Sequence, residues 1–164
     1  MDGPSDFEQW YLGLHPRLHT TIRIACGSAD EADEVVAEAF ARASARWSRV
    51  RQMPNPDGWT YTVAVNLVRR RGRRRTRERQ LVAVAAEAPV QATDVGATMQ
   101  FTELVAPLPE RMREVVVLRH VADLTEPVIA EVLGISRGTV SSTLRDAHRR
   151  LAAQLTAEPG EELR

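Results

Sequence analysis

An arginine-rich segment between Arg69 and Arg79 is the strongest chemical feature of this chain. It holds eight arginines and one acid, Glu78, and so carries a net charge of +7. Guanidinium groups bind phosphate through paired hydrogen bonds, which favours a nucleic-acid backbone as the ligand. A solvated charged helix end or an unstructured basic linker would have the same composition, and both alternatives remain open.

The charge of the whole chain hides this feature. The 164 residues contain 22 arginines and 22 acids, so the formal net charge is zero, and outside the segment fourteen arginines stand against twenty-one acids. Ionic screening limits exposed charges to a range of about 8 Å in physiological salt. Distant acids therefore barely reduce the local field of the arginines, and neutrality does not exclude DNA binding.

The residues just ahead of the arginines predict a helix with two different sides, capped by Asp57. One side is apolar and suits a protein core; it carries Tyr61, Ala64, Val65 and Val68. The other side presents Trp59, Val63 and Asn66. Aromatic rings stack on any base and amides bond to base edges, so this second side suits unstacked bases. Burial of both sides between neighbouring helices is the alternative.

The stretch from Leu124 to Leu151 predicts a helix-turn-helix. Thr125 and Ser136 are expected to cap its two helices, and Gly134 is expected to end the first. The positions expected to be buried are Ile129, Ala130, Leu133, Val140, Leu144, Ala147 and Leu151. The second helix would enter a major groove, while a helical hairpin without DNA contacts is the alternative. The predicted DNA contacts are Ser136, Arg137, Thr139, Ser141, Ser142 and Arg145.

Helical periodicity covers most of the chain, and no strand pattern is present. Pro16 interrupts the first apolar stripe and predicts a kink or a restart of that helix. Ser28 followed by Glu31 predicts a capping box. Residues 81–102 are small, weakly apolar and without sustained period, which indicates a flexible linker. The predicted fold is all-α, with two small helical domains joined by that linker.

Other chemistries have little support. Cys26 has no partner for a disulfide, and the four histidines, at positions 15, 19, 120 and 148, lack the spacing of a metal site. We therefore predict no metal and no cofactor. Motifs of phosphate loops and hydrolases are missing, so we predict that the chain is not an enzyme. Without a long apolar run or a secretory signal, we expect a cytoplasmic protein with no membrane insertion.

Three motifs resemble those of bacterial sigma factors of the extracytoplasmic-function (ECF) type, in the sigma-70 superfamily. They are Asp-Glu-Ala-Asp-Glu-Val-Val-Ala-Glu-Ala-Phe (30–40), Trp-Thr-Tyr-Thr-Val-Ala-Val-Asn-Leu-Val-Arg-Arg (59–70) and Leu-Pro-Glu-Arg-Met-Arg-Glu-Val-Val-Val-Leu-Arg (108–119). They are similar to the family's polymerase-binding helix, its promoter-opening helix and its fourth conserved region. The resemblance implies a sigma region 2 bundle in residues 1–80, a linker in 81–102, a region 4 helix-turn-helix in 103–156 and a tail in 157–164.

The resemblance also implies partners and site residues. The chain would bind core RNA polymerase and direct promoter recognition and DNA melting. Region 2 would dock on the β′ clamp helices through Asp33, Glu34 and Glu38. It would open the −10 element with Trp59, Thr62, Val63, Asn66, Arg69, Arg70, Arg71 and Arg73. Region 4 would read the −35 element with the recognition-helix residues named above and would contact the β flap; an anti-sigma factor is a further implied partner.

Two other readings of the chain stay open on the sequence. One is a stand-alone helix-turn-helix regulator whose front part serves as a dimerisation or ligand domain. The other is a degenerate relative that occupies polymerase or an anti-sigma factor without initiating transcription.

Overall fold

The structure is a computed structural model and describes residues 5–81 and 96–157. Within those ranges it contains eight helices and no strand, which confirms the all-α fold class. The front half consists of α1 (Asp6–Cys26), α2 (Ala29–Ala45), the single turn α3 (Trp47–Val50) and α4 (Pro56–Leu81). The back half consists of α5 (Gly96–Val105), α6 (Glu110–His120), α7 (Glu126–Leu133) and α8 (Arg137–Ala157). None of the helices described is long and apolar enough to cross a membrane.

Helix α1 begins with a complete capping box that the sequence reading missed. The Ser5 hydroxyl accepts from the backbone N–H of Glu8 at 3.3 Å, and the Glu8 carboxylate accepts from the Ser5 N–H at 2.7 Å. The helix then runs without a break through Pro16, so the predicted restart does not occur. Proline removes the hydrogen bond to the carbonyl of Leu12. Leu12 is 66% exposed, so water can donate a hydrogen bond to that carbonyl.

Helix α2 begins with only half of the predicted capping box. The Ser28 hydroxyl accepts from the Glu31 backbone N–H at 3.3 Å. The Glu31 carboxylate does not accept from the Ser28 backbone N–H, because Arg75 of α4 donates two hydrogen bonds to it, of 2.6 and 3.2 Å. A two-bond ion pair with a guanidinium is stronger than one bond to a backbone amide, so the pairing between helices prevails.

Helix α4 is capped by Asn55, and the predicted cap at Asp57 is wrong. The Asn55 amide oxygen accepts from the Gly58 backbone N–H at 2.8 Å. Pro56 is therefore the first helical residue, a position where its missing N–H costs nothing. Asp57 lies in the first turn instead, and its carboxylate accepts from the indole N–H of Trp10 at 2.8 Å. A Cβ at Gly58 would lie 2.5 Å from the Asn55 amide nitrogen, so a larger residue there would force the capping amide to move.

The core of the front half lies between α1, α2 and α4. The apolar side predicted for α4 is confirmed, since Tyr61, Ala64 and Val65 are buried and Val68 is half-buried. At one end of the core, the ring of Trp10 packs against Phe40 and Trp47 with centroid distances of 5.4 and 4.8 Å. Buried apolar surface of this kind supplies most of the stability of a small bundle.

Part of the predicted linker is helical. Helix α5 begins at Gly96, inside the segment 81–102, and its last residue, Val105, is fully buried. Residues 82–95 and the tail from 158 lie outside the described residues, and the domain boundaries remain a prediction.

The two halves pack against each other along a surface that we call the seam. There α1 contacts α6, and α4 contacts α7. Ile22, Val65, Val68, Val117 and Leu118 line it around a cavity of only about 20 Å³. Packing this tight is typical of a protein interior, so the seam is a continuation of the core.

Tyr61 provides a test of the packing in the front half. Its hydroxyl oxygen is buried and has no hydrogen-bond partner in the described parts of the chain, and burial raises the pKa of Tyr61 to about 12. Because an unsatisfied buried hydroxyl costs free energy, Tyr61→Phe should leave the free energy of unfolding unchanged or raise it by about 1–2 kcal/mol. Tyr61→Ala should lower it by about 3–5 kcal/mol. Urea denaturation measures both, and a clear loss of stability in Tyr61→Phe would contradict the assignment.

Candidate nucleic-acid interface

One face of α4 carries a continuous row that we call the α4 stripe. Its members are spaced alternately four and three residues apart, which places them on one side of a helix. They are Trp59, Val63, Asn66, Arg70, Arg73 and Arg77. Asn66 and the three arginines are exposed, whereas the two apolar members are half-buried. The helix therefore buries one side and leaves the other partly open, which decides against burial of both.

The amide of Asn66 is available to a ligand. It lies one turn beyond the half-buried Val63, and within the residues described it makes no side-chain hydrogen bond. Thr62, also predicted as a DNA contact, is half-buried, and its hydroxyl donates to the Gly58 carbonyl at 2.9 Å. Thr62 therefore keeps only its acceptor lone pairs for another group, while Asn66 keeps both its donor and its acceptor.

Some arginines of the arginine-rich segment form ion pairs within the chain, and others do not. Four of its members bind carboxylates within the chain; the pairs are Arg69–Glu114, Arg71–Glu34, Arg74–Glu78 and Arg75–Glu31. Arg70, Arg73 and Arg77 make no ion pair among the described residues. These three arginines lie along the α4 stripe, directly beyond Asn66.

Arg69 is held in the seam. Its guanidinium donates to the two carboxylate oxygens of Glu114 at 2.9 and 2.8 Å, and to the carbonyl of Leu133 at 3.4 Å. The Arg69 and Glu114 side chains are only 21% and 13% exposed. The hydrogen bonds that Arg69 donates to Glu114 raise the pKa of Arg69. This predicted DNA contact thus joins the two halves in the structure.

A cleft of about 610 Å³ lies beside the stripe, between α4 and α6. Arg73, Arg77 and Gln80 line it from α4, and Glu110 and Arg111 line it from α6. The two unpaired arginines give its α4 wall a positive field, which suits a phosphate chain running along the helix.

The outer face of α2 presents the three acids predicted to bind polymerase. The Asp33 and Glu34 side chains are 69% and 68% exposed, and that of Glu38 is 40% exposed. Each has a basic partner: His19 lies 2.6 Å from Asp33, Arg71 lies 2.6 Å from Glu34, and Arg42 pairs with Glu38. Exposed pairs of this kind are weak, so a basic partner surface can replace them.

The helix-turn-helix forms as predicted, with one difference at its first cap. Gly134 ends α7 with a left-handed φ of 65°, and the Ser136 hydroxyl accepts from the Thr139 N–H at 3.0 Å to cap α8. Thr125 stands at the N-cap position of α7, but its side chain makes no capping bond. Pro127 is the second helical residue, so the N–H that a cap would bind there is missing.

The packing of α7 on α8 leaves the recognition face open. All seven predicted core positions of the motif are buried. Of the predicted DNA contacts, Ser141 is half-buried and the rest are exposed; these are Ser136, Arg137, Thr139, Ser142 and Arg145. The exposed row gives the second helix a polar, partly basic face of the kind that enters a major groove.

Sequence reasoning missed two features of this surface. Arg77 belongs to the α4 stripe, and the spacing from Arg70 through Arg73 already contained that signal. The pair of Arg69 with Glu114 joins residues 45 positions apart, and no local pattern indicates it.

Comparison with known proteins accounts for both halves. Residues 10–78 match the model of sigma-70 region 2, and residues 98–151 match that of sigma-70 region 4. The ECF RNA polymerase sigma factor EcfG of Rhodopseudomonas palustris is 30% identical over 156 residues, which are 92% of this chain and 86% of that relative. The chain belongs to the ECF sigma factors.

Other sigma factors are similar over comparable lengths. The RNA polymerase sigma-E factor of Streptomyces coelicolor is 29% identical over 93% of this chain and 87% of its own. The sigma factor SigW of Bacillus subtilis is 28% identical over 79% of this chain and 78% of its own. A region 2 match in the front half does not favour the stand-alone regulator.

Two solved structures share the fold. The sigma factor RpoE of Bartonella quintana, in complex with the anti-sigma factor NepR, has a TM-score of 0.78 at 23% identity and covers 94% of this chain and 99% of its own. CnrH in complex with the cytosolic domain of CnrY has a TM-score of 0.65 at 23% identity and covers 93% of this chain and 89% of its own. The two-part helical fold is therefore that of known sigma factors.

The seam of this sigma factor is testable at Glu114. Glu114→Gln leaves the Arg69 guanidinium half-buried without a countercharge, so we expect the free energy of unfolding to fall by about 1–3 kcal/mol. Glu78→Gln removes the exposed pair with Arg74 and should cost less than about 0.5 kcal/mol. Thermal and urea unfolding of the two variants give the comparison. Equal losses in both would show that Glu114 does not stabilise the seam.

Proposed function

We propose that this sigma factor binds core RNA polymerase and opens promoter DNA with the α4 stripe while α8 reads an upstream element. The observation that carries the proposal is the continuity of the stripe. An exposed amide and a partly open aromatic ring are followed on the same face by three unpaired arginines. Base capture and phosphate binding thus follow one another along a single rigid helix.

Strand opening has a simple physical requirement. Each unstacked base costs a few kcal/mol unless a protein surface receives it. We assign capture of a −10 base to Asn66, with Trp59, Thr62 and Val63 forming the surface beside it. We assign the neighbouring phosphates to Arg70 and Arg73, and Arg77 extends their row.

Arg69 and Arg71 also belong to the proposed −10 contacts, but both must first leave a carboxylate. Phosphate and carboxylate compete for the same guanidinium hydrogen bonds. Contact of Arg69 with DNA therefore requires its separation from Glu114 and loosens the seam. Contact of Arg71 with DNA releases Glu34, one of the acids proposed to bind polymerase.

For the upstream element, we assign −35 recognition to Ser136, Arg137, Thr139, Ser141, Ser142 and Arg145 of the back half. The arginines can donate to guanine edges or to phosphates, and the hydroxyl groups can hydrogen-bond to base edges or to phosphates. Arg137 lies 3.7 Å from Glu126, an exposed pair that DNA phosphate can displace.

The acids of α2 are the proposed polymerase contacts. Asp33, Glu34 and Glu38 form an exposed acidic row that complements a basic surface, here the β′ clamp helices, while the back half contacts the β flap. Polymerase supplies the catalysis, so we propose no catalytic residue and no cofactor in the chain itself. Its place of action is then the cytoplasm, where polymerase meets DNA. Since both solved relatives are complexes with anti-sigma factors, we propose such a partner here too.

Run-off transcription with purified core polymerase tests the opening step. Asn66→Ala should lower transcript yield from duplex promoters at least about tenfold, the equivalent of 1.4 kcal/mol of lost base capture. A template with a pre-opened −10 region should restore most of the yield. Gln52→Ala changes an exposed amide outside the stripe and serves as the matched control.

The same assay separates the competing readings. Specific duplex binding with no affinity for polymerase would indicate a stand-alone regulator. Polymerase binding without transcripts from any genomic fragment would indicate a degenerate relative. An Asn66→Ala variant as active as Gln52→Ala would refute the assignment of the amide.

The phosphate assignment predicts a change in salt dependence. Arg73→Gln should weaken holoenzyme binding to promoter DNA and reduce the slope of log affinity against log salt by about one. Arg74→Gln, which removes an arginine paired with Glu78 and off the stripe, should leave that slope unchanged. Fluorescence anisotropy at a series of salt concentrations measures both, and identical slopes would count against the stripe as a phosphate contact.

A further inference from the structure

Two histidines meet where α6 crosses α8. His120 is the last residue of α6 and His148 lies in the middle of α8, 28 positions further along the chain. Their Nε2 atoms are 3.0 Å apart, and their ring centroids are 5.2 Å apart. Both side chains are exposed, and neither belongs to the proposed DNA or polymerase contacts.

The contact requires that at least one imidazole be uncharged. Two protonated rings would place two N–H groups and two positive charges against each other. Burial, together with the charges of His148 and Arg119, lowers the pKa of His120. An uncharged imidazole has a nitrogen lone pair that can accept a hydrogen bond or bind a metal ion.

The nitrogen separation fits two ligands of one metal ion. At metal–nitrogen distances of about 2.0–2.1 Å, ligands at a right angle lie about 2.9 Å apart, and ligands at a tetrahedral angle lie about 3.4 Å apart. The observed 3.0 Å is close to the right-angled value. Square-planar and octahedral ions such as Cu²⁺ and Ni²⁺ take that arrangement and favour imidazole ligands.

The core fixes the backbone positions of the two histidines. Val116 and Val117 of α6 are buried, and so are Leu144 and Ala147 on the turn of α8 that precedes His148. Because the backbone of both helices is fixed by the core, little freedom is lost when a metal ion joins the rings, and preorganisation of this kind increases affinity.

The electrostatic surroundings favour some ions over others. Arg119 donates to the carbonyl of Leu124 at 2.9 Å, and its charge opposes any cation beside His120. The described residues contain no group of three or more His, Cys, Asp or Glu side chains able to hold a metal. Hard ions such as Mg²⁺, which need oxygen ligands, therefore have no site here, whereas ions that bind imidazole strongly have two ligands.

We propose that His120 and His148 form a two-histidine site for a divalent transition-metal ion of the Cu²⁺ and Ni²⁺ class. When the ion binds, the ring that donated its Nε2 proton in the contact carries its proton on Nδ1 instead, so both Nε2 lone pairs bind the metal. The ion then clamps the end of α6 to α8, with water in its other positions. This site is independent of the proposed promoter contacts.

Titration of the untagged full-length chain with Ni²⁺ tests the site. Calorimetry should show one binding event that His120→Gln and His148→Gln each weaken at least about tenfold, since either change leaves a single imidazole. The wild-type melting temperature should rise with Ni²⁺, and the rise should vanish in both variants. Both side chains are exposed, so the variants should fold and melt like the wild type without metal.

The histidines of the front half provide the control. The rings of His15 and His19 stack with centroids 5.8 Å apart, and His19 is bonded to Asp33, so they are the competing metal ligands. His19→Gln should retain the Ni²⁺-dependent rise in melting temperature. A rise that persists in His148→Gln but is lost in His19→Gln would overturn the proposal.

The number of nitrogen ligands gives a second readout. Electron paramagnetic resonance of the His19→Gln variant with one equivalent of Cu²⁺ should show two imidazole nitrogens, and the additional change His148→Gln should leave one. A single nitrogen before that change would refute the two-histidine site, even if Ni²⁺ stabilises the chain.

Discussion

The rest of the structure depends on the burial of one side of α4. This helix packs against α1 and α2 in the front half and against α7 in the back half, so its rotation about its own axis is set by three neighbours. A shift of one residue would turn it by about 100° and exchange buried for exposed positions. Tyr61 would then leave the core, and Asn66 would lose its exposure. The same packing that stabilises the fold therefore aims the stripe outward.

Electrostatics then decides which arginines remain available. Carboxylates of α2 and α6 bind Arg71, Arg75 and Arg69, while Arg70, Arg73 and Arg77 make no ion pair among the described residues. The chain is neutral overall, yet three arginines without an ion pair among the described residues share one face of α4. Two surfaces of opposite charge result, a basic one along the α4 stripe and an acidic one on α2. Their common pair, Arg71 with Glu34, makes the two surfaces neighbours.

The sequence predicted the helices better than the residues that cap them. The helix-turn-helix followed from a glycine, a serine cap and seven buried positions, because these signals are local and all were correct. The errors concern helix caps. Asp57 and Thr125 do not cap their helices, and the Glu31 carboxylate does not bond to the Ser28 N–H. In each case another residue prevents the predicted capping bond. Pro56 moves the start of α4, and Pro127 removes a backbone donor from the first turn of α7. Arg75 of α4 binds the Glu31 carboxylate of α2. A proline inside a helix was also tolerated, since Pro16 deprives only the carbonyl of the exposed Leu12.

By itself the sequence determined the helical class, the two motif-bearing halves, the family resemblance and the sides of α4, α7 and α8 that enter the core. These properties depend on side chains repeating every three or four residues, and this repeat can be read directly from the sequence. Only the tertiary structure decided which arginine meets which acid, that Arg69 and Glu114 join the halves, and that His120 and His148 touch. The last two contacts link residues 45 and 28 positions apart. They arise from the crossing of helices in space, and the order of residues along the chain carries no periodic signal of where those crossings fall.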